Sequence, residues 1–341
     1  MHIWGIFPLI AGLSLLLTGV IRRYALARNL LDIPNNRSSH QIPTPRGGGL
    51  AIVLTFLAGL LCMWLTGSLP TGIFLALSGA GGLVAGIGFL DDRRHVPATW
   101  RLTVHFLGAA WGLFWLGEIP PLSVFGHLLY LGWSGYLLAA LYLVWLLNLY
   151  NFMDGIDGIA SLEAITVCLG GALAYALSAP GGQNWLTPAM LLFAVGGFFY
   201  WNFPQARIFM GDSGSGFLGL TLGLLSIQAG QISPELFWCW LILLGVFVVD
   251  ATTTLARRLI RGESFHEAHR SHAYQYASRR FAGHRQVSIA IALINLFWLL
   301  PLALLVAGGA LPGLAGLLIA YAPLVWCAFV YKAGAKEQQE I

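Results

Sequence analysis

The chain has 341 residues, 57% of them hydrophobic and only 9% charged, with a formal net charge of +4. Soluble domains carry about 25% charged residues, so a water-soluble globule is excluded and an integral membrane protein is expected. Cys62, Cys168, Cys239 and Cys327 lie inside apolar runs without paired spacing, which argues against a disulfide framework and a zinc–thiolate site.

A bilayer span needs about 20 apolar residues. In chain order such runs fall near 4–21, 48–66, 72–90, 102–117, 127–147, 160–178, 188–202, 214–230, 236–256, 287–307 and 313–331. The fold class expected is an all-α polytopic membrane protein of about eleven transmembrane helices. No soluble domain fits between the runs, so 1–341 reads as a single domain. The stretch 102–147 offers two candidate breaks, Glu118-Ile-Pro-Pro121 and Gly132-Trp-Ser-Gly135. It must hold two spans if Asp91 and Asp154 are to share a side.

That count places every basic residue on one face. Arg22, Arg23, Arg28, Arg37 and Arg46 share one loop; Arg93, Arg94 and Arg101 the next; Arg207 another. Arg257, Arg258, Arg261, Arg270, Arg279, Arg280 and Arg285 share the last loop, and Lys332 and Lys336 the tail. These are all 18 Lys and Arg. By the positive-inside rule this face is cytoplasmic, with the N-terminus outside and the C-terminus in the cytoplasm. The first run is read as a retained span, because Arg22-Arg23 follows it and no charge precedes it. Trp4, Trp64, Trp185, Trp238 and Trp326 near run ends suit an interfacial belt. Gly82-Leu-Val-Ala-Gly86 has the spacing of a close helix-packing face.

All seven aspartates fall at or beside the same face: Asp32, Asp91, Asp92, Asp154, Asp157, Asp212 and Asp250. The most concentrated group is Asn148-Leu-Tyr-Asn-Phe-Met-Asp-Gly-Ile-Asp-Gly158. Asp154 and Asp157, at i and i+3, would share one face of a helical turn and repel each other, which calls for a cation or a cationic partner. The Pro43-Thr-Pro-Arg-Gly-Gly-Gly49 loop offers Arg46 and the backbone of Gly47 and Gly48 to an anion, although an ordinary turn has the same composition. Asp91-Asp92 closes a helix at the end where the macrodipole disfavours acids, which implies a task for them. Asp212 in Ile208-Phe-Met-Gly-Asp-Ser-Gly-Ser215 is either an N-cap or a metal ligand. His266-Glu-Ala-His-Arg-Ser-His272 suits a phosphate better than zinc: its spacing drifts around a helix and Arg270 would oppose a cation. Oxygen donors beside anion-binding groups are what a magnesium–diphosphate complex requires, so phosphoryl transfer at the membrane surface is expected.

Leu90-Asp-Asp92, the Asn148–Gly158 motif, Phe209-Met-Gly-Asp-Ser-Gly-Ser215 and His269-Arg-Ser-His272 together resemble the polyprenyl-phosphate N-acetylhexosamine-1-phosphate transferases. That superfamily includes the phospho-MurNAc-pentapeptide translocase and the enzymes that start O-antigen and teichoic acid synthesis. The resemblance implies transfer of N-acetylhexosamine 1-phosphate, or a 6-deoxy analogue, from a UDP-sugar to polyprenyl phosphate with release of UMP. It implies magnesium, or alternatively manganese, as cofactor. It gives Asn151 and Asp212 as metal ligands and Asp91, Asp92, Asp154 and Asp157 as catalytic acids. His269, Arg270 and His272 would hold the diphosphate and sugar, with Asn148, Arg46, Gly47 and Gly48 as loop contacts. Arg270 and Ser271 interrupt the histidine run of the translocase branch, and Ala273-Tyr-Gln275 is more similar to the O-antigen-initiating branch. The implied setting is the bacterial inner membrane with the site on its cytoplasmic face. The partners implied are the UDP-sugar, the lipid acceptor and the bilayer, without nucleic acid and with a homodimer left open. The alternative is a transporter or flippase with a cation-coupled acidic site. It requires ionisable groups at mid-membrane, whereas Asp250, His105 and Glu163 read as nearer the span ends.

Overall fold

Within hydrocarbon a chain can satisfy its backbone N–H and C=O groups only internally, so long apolar runs become helices. The computed structural model describes residues 3–34, 42–94, 96–263, 270–281 and 283–336. After a 3₁₀ turn the chain forms α1 (Ile6–Ala27), a strand pair β1 (Leu31–Asp32) and β2 (Thr44–Pro45), α2 (Gly49–Leu65), α3 (Thr71–Arg93) and α4 (Ala98–Leu116). The hairpin β3 (Leu122–Val124) and β4 (His127–Leu129) leads to α5 (Gly132–Met153), α6 (Ile159–Ser178), α7 (Leu186–Asn202) and α8 (Asp212–Ile232). Then come α9 (Pro234–Leu243), α10 (Gly245–Ile260), α11 (Ala273–Arg280) and α12 (His284–Ile294). A π turn over Asn295–Leu299 continues α12 into α13 (Leu300–Ala307), and α14 (Gly313–Val330) ends the fold. Both strand pairs are antiparallel, with Leu31 opposite Pro45 and Leu122 opposite Leu129.

Among the described residues, seven helical segments are long and apolar enough to cross a membrane: α1, α3, α5, α6, α8, the α12–α13 run and α14. The pair α9–α10, bent by 70° at Leu244, makes an eighth if it is one span, and α2 and α7 are shorter apolar helices. The chain is thus an all-α polytopic membrane protein. Two expected boundaries move. The run read as 127–147 begins in the β3–β4 hairpin, whose turn at Phe125 (φ 47°) and Gly126 (φ 84°) diverts the chain. Its helix instead spans Gly132–Met153, so Asn148 and Asn151 are helical.

The centre is α8, whose residues from Ser213 to Gly230 are all buried. It is so poor in bulk that neighbouring backbones can touch it. A methyl group on Gly49 of α2 would collide with the Cα of Gly214, and one on Gly88 of α3 would lie 2.6 Å from the Asp212 carbonyl. These contacts fix the starts of α2 and α8 and the end of α3 against one another. The expected packing pair, Gly82 and Gly86, meets nothing within 4 Å; α3 instead turns Gly81 and Gly88 inward. The i, i+4 spacing was right for a helix face, but the buried face lies one position earlier. Trp238 also departs from the belt: it is buried and donates Nε1–H to the Ser123 carbonyl at 2.8 Å.

Candidate active site

Helix ends of α3, α5 and α8 converge with the α5–α6 and α7–α8 links on a cavity of about 260 Å³. Its lining includes Asp32, Arg46, Asp92, Asn151, Asp154, Asp157, Asp212, Ser215, Gln275 and His284.

At its centre Asp212 opens α8. The carboxylate of Asp92, on α3, accepts the N–H groups of Asp212 at 3.0 Å and Ser213 at 3.2 Å. Those donors have no partner inside their own helix, so Asp92 caps α8 from outside. Asp212 is therefore released from the capping task the sequence allowed it. Gly211, at φ 79°, makes this approach feasible: a Cβ there would stand 2.7 Å from the Asp92 oxygens. Asn151, in the last turn of α5, donates Nδ2–H to Asp212 Oδ1 and to Ser215 Oγ, each at 2.9 Å. Arg101 of α4 bridges Asp91 at 2.6 Å and Asp212 at 3.3 Å.

The expectation that Asp154 and Asp157 share a helical turn fails, because both lie in the non-helical link between α5 and α6. Gly158, at φ 74°, ends that link, and its N–H donates to Asn202 Oδ1 at 3.0 Å. Asn202 also donates to the Ile208 carbonyl at 3.1 Å and so ties the two acidic links together. Asp157 accepts the Ala206 N–H at 3.2 Å and faces His284 Nδ1 at 3.4 Å, while Ser288 holds its carbonyl at 2.7 Å. The Tyr274 hydroxyl donates to the Phe152 carbonyl at 3.0 Å and fills the space that a Cβ on Gly155 would take. On the far wall the Gly48 and Gly49 N–H groups donate to the Phe209 and Met210 carbonyls at 2.9 and 2.8 Å. The glycine loop is thereby laid along the α7–α8 link with Arg46 in the cavity.

Several expected residues lie elsewhere. Asn148 donates to the Val144 carbonyl of its own helix at 2.7 Å and does not line the cavity. Asp91 turns to Arg101 and the Val96 N–H. His272 is buried, with Nδ1 3.3 Å from Asp250 Oδ1. Asp250 also accepts the N–H groups of Ala273 and Tyr274 at 2.9 and 3.0 Å, so it anchors the start of α11. Arg270 is outside the cavity lining, with its carbonyl accepting from Arg279 at 3.1 Å. His269 lies outside the described residues. Conversely, Arg101, Asn202 and His284 were not singled out from the sequence, and Gln275 was noted only as part of a branch signature. Arg101 left one clue, a cation in the first turn of a helix, where the macrodipole disfavours it.

Five aspartates line the cavity against one arginine, Arg46, and one histidine, His284. Withdrawal of water from Asp154 raises its carboxyl well above the ordinary value, and the charges of Asp212, Asp92 and Asp157 raise it further. Such an excess of negative charge calls for a cation. No three His, Cys, Asp or Glu side chains among the described residues converge as a metal cluster on their own. With the Asn151 carboxamide added, the donors are all oxygens, the set a hard divalent ion prefers. The ends of a carboxamide are assigned by their hydrogen bonds, so Asn151 Oδ1 can be turned to an ion in place of its N–H. The residues fit magnesium.

The sequence model of glycosyl transferase family 4 matches residues 73–230, from α3 through α8. Over 292 residues the chain is 30% identical to the probable undecaprenyl-phosphate N-acetylglucosaminyl 1-phosphate transferase of Bacillus subtilis (strain 168), covering 82% of this chain and 78% of that protein. It is 29% identical over 313 residues to the decaprenyl-phosphate N-acetylglucosaminephosphotransferase of Mycobacterium leprae (strain TN), covering 81% and 77%. It is 33% identical over 231 residues to the phospho-N-acetylmuramoyl-pentapeptide-transferase of Streptococcus pneumoniae (strain Taiwan19F-14), covering 62% and 66%.

Proposed function

This chain belongs to glycosyl transferase family 4, among the polyprenyl-phosphate N-acetylhexosamine-1-phosphate transferases, and we propose that it transfers N-acetylhexosamine 1-phosphate from a UDP-sugar to polyprenyl phosphate. The observation that carries this reading is the acidic cavity itself, built where three helix ends meet and holding one arginine against five aspartates. N-acetylglucosamine is the first donor to test, since the names of two relatives specify it. The O-antigen-initiating branch, in which 6-deoxy donors also occur, is supported by Ala273-Tyr-Gln275 and the interrupted histidine run. We place the site at the cytoplasmic face of a bacterial inner membrane in a single domain of eleven spans, a reading supported by the one-sided distribution of all 18 basic residues.

In the proposed reaction a lipid phosphate oxygen attacks the sugar-bearing phosphorus; its bond to the UMP oxygen breaks and UMP leaves with the electron pair. The acceptor monoester has a second pKa near ~6, so at neutral pH it is mostly dianionic and hardly needs a general base. Asn151 and Asp212 would hold magnesium, with Asp154 and Asp157 beside it. Bound there, magnesium supplies charge neutralisation on the diphosphate. Arg46 draws the anionic groups into the cavity and screens their repulsion. Asp92 acts through α8, positioning Asp212 rather than touching substrate. Asp157, held by Ala206 and His284, presents its carboxylate to the cavity in a fixed orientation. An aspartyl-phosphate intermediate is the rival path. Stable label on the protein after incubation with labelled donor alone would favour it.

The test is purified protein in lipid with polyprenyl phosphate, magnesium and a panel of UDP-sugars, scored for UMP. UMP release from UDP-N-acetylglucosamine or a related donor is expected. No UMP from any donor would return the transporter reading, in which the buried acids Glu163 and Asp250 would carry a cation. Each has a local partner instead, Asn295 at 2.7 Å and His272 at 3.3 Å.

A further inference from the structure

Behind the acidic cavity, in the second turn of α6, lies an acid that the proposed reaction does not use. Glu163 is 0% exposed, and Asn295, where the π turn begins, is 1% exposed. The Asn295 carboxamide donates from Nδ2 to Glu163 Oε2 at 2.7 Å and to Thr166 Oγ1 at 2.8 Å, which occupies both of its N–H groups. The Thr166 hydroxyl itself donates to the Leu162 carbonyl of its own helix at 2.9 Å and so meets Asn295 as an acceptor. Two atoms are left over: Glu163 Oε1 and Asn295 Oδ1 are both buried and both without a hydrogen-bond partner. Apart from Asn295, the carboxyl faces only the Phe247 N–H and no charged side chain among the described residues. Buried polar atoms are almost always satisfied, and an unpaired buried carboxylate is strongly disfavoured. Turning the carboxamide over offers no escape, because its oxygen would then stand 2.7 Å from Oε2, which also requires a proton between them.

We propose that Glu163 is a neutral carboxylic acid paired with Asn295, and that this pair is the deepest rung of a ladder that positions Asp157. One proton on Oε1 supplies the donor that Asn295 Oδ1 lacks, and the two groups close into the two-bond ring that a carboxylic acid forms with a carboxamide. The ladder runs along one face of the α12–α13 run. His284 Nδ1 lies 3.4 Å from Asp157, Ser288 donates to the Asp157 carbonyl at 2.7 Å, and Asn295 reaches Glu163. Side chains at i, i+4 and i+11 fall on one side of a helix, and both helices lead away from the cavity together. The titratable groups that couple to Glu163 from neighbouring helices are the phenols of Tyr150 on α5 and Tyr321 on α14, uncharged at neutral pH. Glu163 touches no substrate; it is a positioning residue that acts through α6. The protonated pair stands without the transferase reading, whereas its effect on turnover rests on that reading.

The experiment is infrared difference spectroscopy at neutral pH on the full chain in an ester-free detergent, wild type minus Glu163→Gln. The carbonyl band of a protonated carboxyl is expected in the wild type and absent from the variant. Asn295→Leu should move that band to higher wavenumber as its hydrogen bond is lost. Carboxylate stretches in the difference spectrum would show an ionised Glu163 and overturn the proposal, as would a band that Asn295→Leu leaves in place. Turnover gives the second reading. Glu163→Gln reproduces the ring with a carboxamide and should release UMP within about twofold of the wild type, whereas Asn295→Leu should lower kcat by roughly 10- to 100-fold, as expected for a small misplacement of a reacting group. Thermal unfolding checks that each variant is folded, and if Asn295→Leu is not, the difference against the near-isosteric Glu163→Gln decides. A folded Glu163→Gln as inactive as Glu163→Leu would mean that the charge is needed and the neutral pair is wrong. A wild type that releases no UMP from any donor would sink the transferase reading and leave the infrared result to decide the pair.

Discussion

At the residue scale the site depends on how its charges are apportioned. Arg101 is the cation that two carboxylates share, both through its Nη1. Arg101→Ala should lower UMP release by roughly 10- to 100-fold, the lower part of the range for losing a preorganised charge. Arg101→Lys should fall between the two, and activity unchanged in both would remove Arg101 from the site. Asp154 gives a test of the cation that needs no turnover. Its carboxyl is raised in the fold, so above the ordinary carboxylate range the folded chain holds a proton that the unfolded chain has lost. Stability is then fully present at low pH and falls as pH climbs toward the raised value. In EDTA the unfolding temperature should drop between pH 5.5 and pH 8, and Asp154→Asn should flatten that slope. Added magnesium should stabilise more at pH 8 than at pH 5.5, and a hundredfold excess over the pH 8 Kd should stabilise the fold at pH 8 by about 2.7 kcal/mol in all. Equal shifts at both pH values would argue against an ion beside Asp154.

At the element scale the acidic links are held by contacts from distant helices, and this limited what the sequence could show. The asparagine–aspartate motif was legible because its four polar residues are adjacent in the chain. Their real conformation, a helix end followed by a link, was not, because Asn202 and Tyr274 impose it from α7 and α11. Asp91-Asp92 was recognised as unusual at a helix C-terminus, but the reason was invisible: the carboxylate that caps α8 is supplied about 120 residues earlier in the chain. His272 was read as a ligand for substrate, whereas its buried ring faces Asp250 on a neighbouring helix, a partner that lies 22 residues away in sequence. The Tyr274–Gly155 contact can be tested as a unit. Gly155→Ala puts a methyl group where the Tyr274 hydroxyl sits, and overpacking of this kind costs about 1–3 kcal/mol. Tyr274→Phe alone should cost about 1 kcal/mol for its lost hydrogen bond. Because both act on one contact, Gly155→Ala should be less damaging in the Tyr274→Phe background, by roughly 0.5–1 kcal/mol in thermal unfolding. Strict additivity would mean that α11 does not brace the link.

At the scale of the whole molecule the decisive question is which way the bundle faces. Hydropathy located long apolar helices, seven or eight of them span-length among the described residues, because a membrane demands them, whereas the bend at Leu244 and the hairpin before α5 arise from local backbone geometry that hydropathy does not register. The acidic cavity at one end of α8 makes orientation a functional matter, since a UDP-sugar is available only in the cytosol. The positive-inside rule puts Arg94, beside the acidic cavity, in the cytoplasm and Gln183, in the α6–α7 link, outside. Single cysteines at these exposed positions, in a background lacking the four native thiols, report this directly. A membrane-impermeant maleimide applied to spheroplasts should label Gln183→Cys and spare Arg94→Cys, and inverted vesicles should reverse the pattern. If both positions label from one side, α3 and the α6–α7 link do not open to opposite compartments, and the eleven-span count is wrong. If the pattern is inverted, the acidic cavity faces away from its proposed donor. Transfer from a cytosolic nucleotide sugar would then have no route to Asp212.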